Sequence, residues 1–330
     1  MIVSEDPCMS GLSQRGDFEH PLVSVVMPCF NAAPFLAESV GSVFGQSYPN
    51  VELVVVDDGS TDGSADILAG LAKAHAGRIR ILQSNRVGPY PARNLALRNA
   101  HGAYVAFLDA DDWWAPQTLE KLYDTLVRND ADIAYCGWQN VGPGMETPPH
   151  VPPAYEEEDT VAHFLRSCPW PIHAALIRRA VVDRLNGFSE QRFASMDYDF
   201  WLRALALTRH IKRVPEVLAF YRWHSLGQVS AVKWRQVLDA LAAQQHFIEN
   251  NPDLVAHLSP ECLDELTEGQ VLRQAYRAFW RRDLVSAQKL FRHAAAERTY
   301  HLGDLRHVIS AFLPLPLYRG LVRLTERRPS

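Results

Sequence analysis

Two aspartates one residue apart, Asp109 and Asp111, follow directly on the apolar run 103–108. Carboxylates so spaced at a strand end can turn toward one cation. Mg²⁺ and Mn²⁺ take oxygen ligands and usually combine one or two carboxylates with substrate phosphates. Taken alone, Asp109-Ala110-Asp111-Asp112 serves equally well to cap a helix ahead of Pro116 or to solvate a loop. Three other apolar runs end the same way. Residues 22–27 lead into Pro28, Cys29, Phe30 and Asn31; residues 51–56 into Asp57, Asp58, Gly59 and Ser60; residues 79–82 into Asn85 and Arg86. Four strand ends that deliver polar groups to one rim carry more weight than any single motif. Downstream, Asp197 opens a helical stretch (197–203) and is the candidate general base, with Asp199 as substitute. Asp197 serves equally to cap that helix. His224 closes Tyr221-Arg222-Trp223-His224.

The elements that must position these groups follow from periodicity. The short apolar run 22–27 suits a strand buried on both faces, and 51–56, 79–82, 103–108 and 133–136 read as further strands. Between them, residues 33–45, 64–75, 91–100 and a stretch opened by Pro116 read as helices; Ser60, Thr61 or Asp62 can cap the second. Strands alternating with helices predict βαβ units and a mostly parallel sheet, with ligands beyond the carboxyl ends of the strands. Residues 142–155 hold five prolines and form an irregular connection. A shorter mixed segment runs to about residue 230, and from about 232 the pattern turns helical. Two of those helices, carrying Ala275, Ala287, Phe291 and Ala294, resemble one TPR-like hairpin, which is not a repeat array.

Composition bounds the function. The chain has 330 residues, with 47% hydrophobic and 22% charged residues, as in a soluble globular protein of about two domains. Its formal charge of −5 argues against a protein built to neutralise a phosphate backbone. Five scattered cysteines (Cys8, Cys29, Cys136, Cys168, Cys262) form no CxxC, which predicts reduced thiols in a cytoplasmic setting. The first twenty residues have no apolar core like that of a signal peptide, and no window reaches the roughly 18 apolar residues of a membrane span. Neither a GxGxxG nor a GxxxxGK[ST] occurs, so dinucleotide and Walker-type sites are unsupported.

The ordered segments VSVVMPCFNAAPFLAESVGSVFGQSYPNVELVVVDDGSTDGS, GPYPARNLALRNAHGAYVAFLDADD, GFSEQRFASMDYDFWLRAL and YRWH resemble the family 2 glycosyltransferases over about residues 21–230. The resemblance implies a GT-A (Rossmann-like) α/β fold. It further implies metal-dependent transfer of a hexosyl unit, with inversion, from a nucleotide-diphosphate sugar (a UDP-sugar foremost) to a saccharide or lipid-linked acceptor hydroxyl in bacterial cell-surface polysaccharide or glycolipid synthesis. Carried over residue by residue, Pro28, Phe30 and Asn31 line the nucleoside pocket with Glu38 nearby. Asp58, or Asp57, accepts from a base N–H, and Arg86 and Arg93 lie near the donor. Asp109, Ala110 and Asp111 form the DxD on the diphosphate, and His224 approaches the Mn²⁺ or Mg²⁺. The family usually has an acid just before the base; here Met196 stands there.

The implied organisation is a flexible tail (1–20), the catalytic domain (21–230) and a helical region (231–330) outside the resemblance. Trp113 and Trp114 are candidates for stacking on a sugar or for the core. Trp138, Trp170 and His173 are weaker candidates for facing the acceptor, and Cys29 reads as a small apolar filler. At the C-terminus, Leu313, Leu315, Leu317, Leu321 and Val322 with Arg319, Arg323, Arg327 and Arg328 fit two readings. One is peripheral contact with an anionic membrane at its inner face. The other, favoured because Pro314 and Pro316 interrupt a long amphipathic helix, is a cover for the protein's own core. Two further functions compete. A non-catalytic nucleotide-sugar sensor would keep the pocket, with Met196 as the feature in its favour. A nucleotidyltransferase would need a Gly-rich basic loop after the first strand, which PCFNAAPF lacks.

Overall fold

The computed structural model describes residues 20–143, 145–189, 196–224 and 233–326. The expected tail, apart from His20, therefore lies outside the described residues, as do Arg327 and Arg328. Among the described residues nine strands form one sheet: β1 (Val23–Cys29), β2 (Val51–Asp57), β3 (Ile79–Gln83), β4 (Tyr104–Phe107), β5 (Trp113–Trp114), β6 (Ile133–Gly142), β7 (Met145–Glu146), β8 (Ala175–Arg178) and β9 (Ile211–Arg222). Their order is β3-β2-β1-β4-β8-β6-β9-β5, with β7 on β6.

The first four strands pair in parallel. β1, β2 and β4 are almost wholly buried, as expected where helices cover both faces. The chain runs outward from β1 to β2 and β3, then returns to place β4 on the other side of β1. That reversal is a topological switch point, and the crevice it opens lies beyond the carboxyl ends of β1 and β4. Past β4 the sheet is mixed: β8 runs antiparallel between β4 and β6, while β9 pairs parallel to β6 and antiparallel to β5.

β9 breaks register against β6 after Cys136–Val214 and resumes at Gly137–Val217, so Pro215 and Glu216 are accommodated as a bulge. Gly137 is required there, because a Cβ would come within 2.6 Å of the His150 carbonyl oxygen. The bulge bends β9 so that its last residues, Tyr221 and Arg222, and then His224 reach the rim beside the end of β4.

The helices Lys233–Asn250, Glu268–Trp280, Leu284–Ala296 and Leu315–Glu326 follow. The first contributes Ala243 and Phe247 to the sheet's core and Leu241 to a second core. That second core holds Val271, Ala275, Phe279, Ala287, Phe291, Tyr318 and Val322. Glu268–Trp280 and Leu284–Ala296 form a hairpin around those alanines and aromatics.

Candidate active site

Each rim residue is placed by the end of an apolar strand. After β1, Asn31 takes a left-handed backbone (φ 50°). Its N–H donates to Ser60 Oγ and its Oδ1 accepts from the Thr61 N–H at 2.8 Å, tying the β1 end to the β2 end. Pro28 is still part of β1, opposite Val56. Phe30 points outward, 42% exposed, and the Arg86 guanidinium lies 4.5 Å from its ring centroid. A flat aromatic with one face toward solvent suits stacking on a base. Cys29 is buried beside it; burial pushes its thiol up to about 12, so it is no nucleophile.

Asp57 and Asp58 are both buried. Asp57 Oδ1 accepts from the Ser60 N–H and closes the turn after β2. Asp58 Oδ1 accepts from Ser84 Oγ and the Val87 N–H, and Oδ2 from the Gly88 N–H at 2.8 Å. A carboxylate offers about four lone-pair sites, and these three bonds leave one for a base N–H. Asp58 therefore also moors the loop that leads to the helix Pro89–Arg98.

That helix carries Arg93, which is 3% exposed. Its guanidinium lies between the rings of Tyr90 and Phe188, 5.3 and 5.4 Å from their centroids. Nη2 donates to Asp109 Oδ1, and Nη1 donates to Asp197 Oδ1 at 3.1 Å. One cation thus joins the DxD to the candidate base across the crevice. Burial, with the Asp109 charge adding to it against the pull of Arg93, pushes the Asp197 carboxyl up to about 6. Such a carboxyl is poised to accept a proton near neutral pH. Asp197 sits in the first turn of the helix Met196–Leu207. Asp199, the substitute, is committed elsewhere: it binds Arg203 Nε at 2.8 Å and is buried.

Asp109 and Asp111 keep about a quarter of their side-chain surface open, whereas Ala110 is buried and offers only backbone. Burial and the neighbouring Asp109 charge raise the Asp111 carboxyl above its ordinary range, and His224 opposes this. His224 Nε2 lies 2.9 Å from Asp111 Oδ2, and its ring stacks on Phe35 at 4.7 Å. Among the described residues, no three His, Cys, Asp or Glu side chains close on one point. Asp109 and Asp111 each spend one oxygen on Arg93 or His224, and the other oxygens are the hard donors a divalent cation shared with phosphate oxygens takes.

Two rim residues had no role assigned from the sequence, Arg222 and Asp112. Arg222 donates its N–H to Asp112 Oδ1 and its Nε to the Asp111 carbonyl, both at 2.8 Å, and pairs with Glu38 through Nη2. Its guanidinium lies 4.3 Å from the Trp113 ring. Glu38 is therefore held on the rim by Arg222. Arg222 is the last residue of β9 and His224 follows two residues later, so the strand end that delivers one delivers the other. Behind the DxD, buried Asp112 faces His173, with Oδ2 3.3 Å from Nδ1. Burial pushes the His173 imidazole down to about 4, and it is neutral. His173 supports the rim from behind, and its carbonyl accepts from Trp114 Nε1. Trp114 is buried, Trp113 stacks on Phe220, and Trp170 is core, flat against Tyr135 at 4.1 Å. Trp138 is half-buried beside His150.

Comparison with known proteins gives three results. The sequence profile of glycosyl transferase family 2 matches residues 24–185. The Escherichia coli UDP-Glc:α-D-GlcNAc-diphosphoundecaprenol β-1,3-glucosyltransferase WfgD is 31% identical over 185 residues, covering 56% of this chain and 70% of that protein. Among solved structures, Staphylococcus aureus TarS 1–349 in complex with UDP-GlcNAc superposes with a TM-score of 0.61 at 20% identity, over 88% of this chain and 79% of that one. The mannosyltransferase PcManGT from Pyrobaculum calidifontis, in complex with GDP-Man and Mn²⁺, gives 0.59 at 21% identity, over 93% and 84%. The chain spans from 16% to 68% of the length of other curated relatives that it matches.

Proposed function

This chain belongs to glycosyl transferase family 2 and has the GT-A fold, and from that premise we propose that it moves a hexosyl unit from a nucleotide-diphosphate sugar to an acceptor hydroxyl, with inversion. The observation that carries the proposal is the Arg93 bridge, with Asp109 on one side and Asp197 on the other. It sets a proton acceptor beside the carboxylates that face a departing diphosphate.

In this reading the acceptor oxygen attacks the anomeric carbon as the bond from that carbon to the diphosphate oxygen breaks. The bonding pair leaves with the nucleoside diphosphate, and the acceptor proton passes to Asp197. Phe30 stacks on the base, and the lone pair left on Asp58 accepts its N–H. Asp109, Asp111 and His224 would hold Mn²⁺ or Mg²⁺, which when bound neutralises charge gathering on the leaving diphosphate. Arg222 stiffens the Asp111–Asp112 segment, so that the carboxylates need little rearrangement.

For the acceptor we propose a lipid-linked saccharide of cell-surface polysaccharide or glycolipid synthesis, supported by the diphosphoundecaprenol acceptor named for the WfgD relative. For the donor we propose a UDP-sugar, as with that relative and the UDP-GlcNAc complex of TarS. Free thiols at Cys29, Cys136, Cys168 and Cys262 support a reducing, cytoplasmic setting. The non-catalytic sensor is not favoured, since the relatives that the chain resembles are named as glucosyltransferases. Thermal-shift measurements with nucleoside diphosphates and nucleotide sugars, with and without Mn²⁺, test the reading, because a ligand of the folded state raises its melting temperature. A Mn²⁺-dependent shift that Asp111→Ala abolishes is expected. A shift indifferent to both would remove the metal-bound diphosphate from the account.

A further inference from the structure

A recess of about 590 Å³ lies among the helices Pro89–Arg98, Arg179–Leu185 and Met196–Leu207. None of Asp58, Asp109, Asp111, Asp197 and His224 lines it, so it is not the candidate active site. Its volume falls within the roughly 300–1,000 Å³ of ordinary ligand sites. Two helix faces line it. Asn94, Leu97 and Arg98 stand at i, i+3 and i+4 on the first helix, and Arg179, Val182 and Asp183 repeat that spacing on the second. Arg203 enters from the third helix.

The recess is cationic on an acidic protein. The chain carries a formal −5, yet three arginines line the recess against one carboxylate, Asp183. Arg98 is exposed and forms no ion pair with any described residue. Arg179 donates Nε to Asp183, Nη1 to the Ala100 carbonyl and Nη2 to the Leu97 carbonyl, closing the end of the first helix. Arg203 donates Nε to Asp199, Nη1 to the Leu185 carbonyl and Nη2 to the Gly187 carbonyl, closing the end of the second. Asp199 itself does not line the recess. A guanidinium has five N–H groups, so Arg179 and Arg203 each keep two. Each also keeps about a quarter of its side-chain surface open. Guanidinium forks match phosphate oxygens, and a phosphate-class anion brings enough oxygens for several of them. Because helix-end carbonyls already hold Arg179 and Arg203, they lose little side-chain freedom when an anion arrives.

We propose that this recess binds a phosphate-class anion, with Arg98, Arg179 and Arg203 as its cations. Phe188 is a wall it shares with the candidate active site: Asn94 bonds both backbone groups of Phe188, whose ring flanks Arg93. The proposal does not depend on the transferase reading, and its test uses neither donor nor acceptor. Inorganic pyrophosphate is titrated calorimetrically into the full chain in EDTA, which keeps metal from drawing it to Asp109 and Asp111. One site is expected, and its affinity should fall as salt rises. Arg98→Gln should weaken binding about 10- to 150-fold, the worth of a hydrogen bond to a charged group. Asp183→Asn should tighten it up to about fivefold by removing the one carboxylate that lines the recess. Arg319→Gln, at an exposed arginine outside the recess, should change nothing. All three positions are exposed, and unchanged melting temperatures would verify folding. A second titration with uridine diphosphate separates the carriers: Arg98-dependent binding tighter than that of pyrophosphate marks a nucleotide, weaker binding a free anion, and both uphold the site. No binding of pyrophosphate at low salt, or binding that neither Arg98→Gln nor Asp183→Asn alters, overturns the proposal. So does equal weakening by Arg319→Gln and Arg98→Gln, which would reduce the effect to net charge.

Discussion

Replacing Arg93 by glutamine separates the two halves of the candidate active site. Arg93 is the group that opposes burial and the Asp109 charge at Asp197, whose carboxyl stands at about 6. At pH 7 about nine-tenths of it is ionised and able to take a proton. A hydrogen bond to a charged group is worth about 1.5–3 kcal/mol, and one pKa unit corresponds to about 1.4 kcal/mol, so losing Arg93 should raise Asp197 by about one to two units. The ionised fraction at pH 7 then falls to between about a half and a tenth. A working base must be deprotonated, so turnover rises with pH through the carboxyl's midpoint, and the acid limb of the profile should move toward alkaline pH by that amount. Breaking a buried charge pair costs about 3–5 kcal/mol; partial exposure of both carboxylates puts the loss here at the lower end. The assay is the pH dependence of nucleoside diphosphate release at saturating donor and Mn²⁺, well below the variant's melting temperature. Arg93→Lys, which keeps the charge but reaches one carboxylate, should move the limb less. If the limb of Arg93→Gln coincides with that of the wild type, Arg93 does not govern Asp197 and the bridge has no catalytic consequence.

Two other substitutions probe the donor side. Phe30→Ala should weaken donor binding about five- to 150-fold, since stacking a base on an aromatic ring is worth about 1–3 kcal/mol. It should leave kcat nearly unchanged, which steady-state kinetics would read as a rise in KM alone. Asp58→Asn puts an amide NH2 in place of one carboxylate oxygen, facing the N–H of either Val87 or Gly88, which should cost about 1–3 kcal/mol in denaturant unfolding and also raise the donor KM.

Much of this arrangement was legible in the sequence. β1, β2 and β4 are apolar, almost wholly buried runs with polar residues at their carboxyl ends, the pattern of a doubly covered sheet, whereas β3 at the edge exposes Arg80 and has no fully buried residue. The rest depended on contacts distant in sequence. β9 contains Lys212, Arg213, Pro215 and Glu216, which read locally as loop; it is a strand because β6 supplies a partner and the bulge absorbs the proline. β5 is two tryptophans that pair only with β9. Apart from the start of β6 at 133–136, the mixed half of the sheet was therefore hidden, and with it the route by which Arg222 meets Asp112, 110 residues away in sequence. The pairing of Asp112 with His173 was hidden for the same reason. Asp199 sits two residues from Asp197 with the same chemistry, and only packing separates them, one turned to Arg203 and the other to Arg93.

The central claim is that Asp197 takes the acceptor proton beside a metal-bound diphosphate. Its most direct test is a single-turnover measurement with nucleotide sugar, Mn²⁺ and a diphosphoundecaprenol-linked saccharide, comparing wild type with Asp197→Asn. The variant should bind donor as the wild type does while its transfer rate falls about 10²–10⁴-fold, the usual contribution of a positioned base. Transfer by Asp197→Asn at the wild-type rate would contradict it.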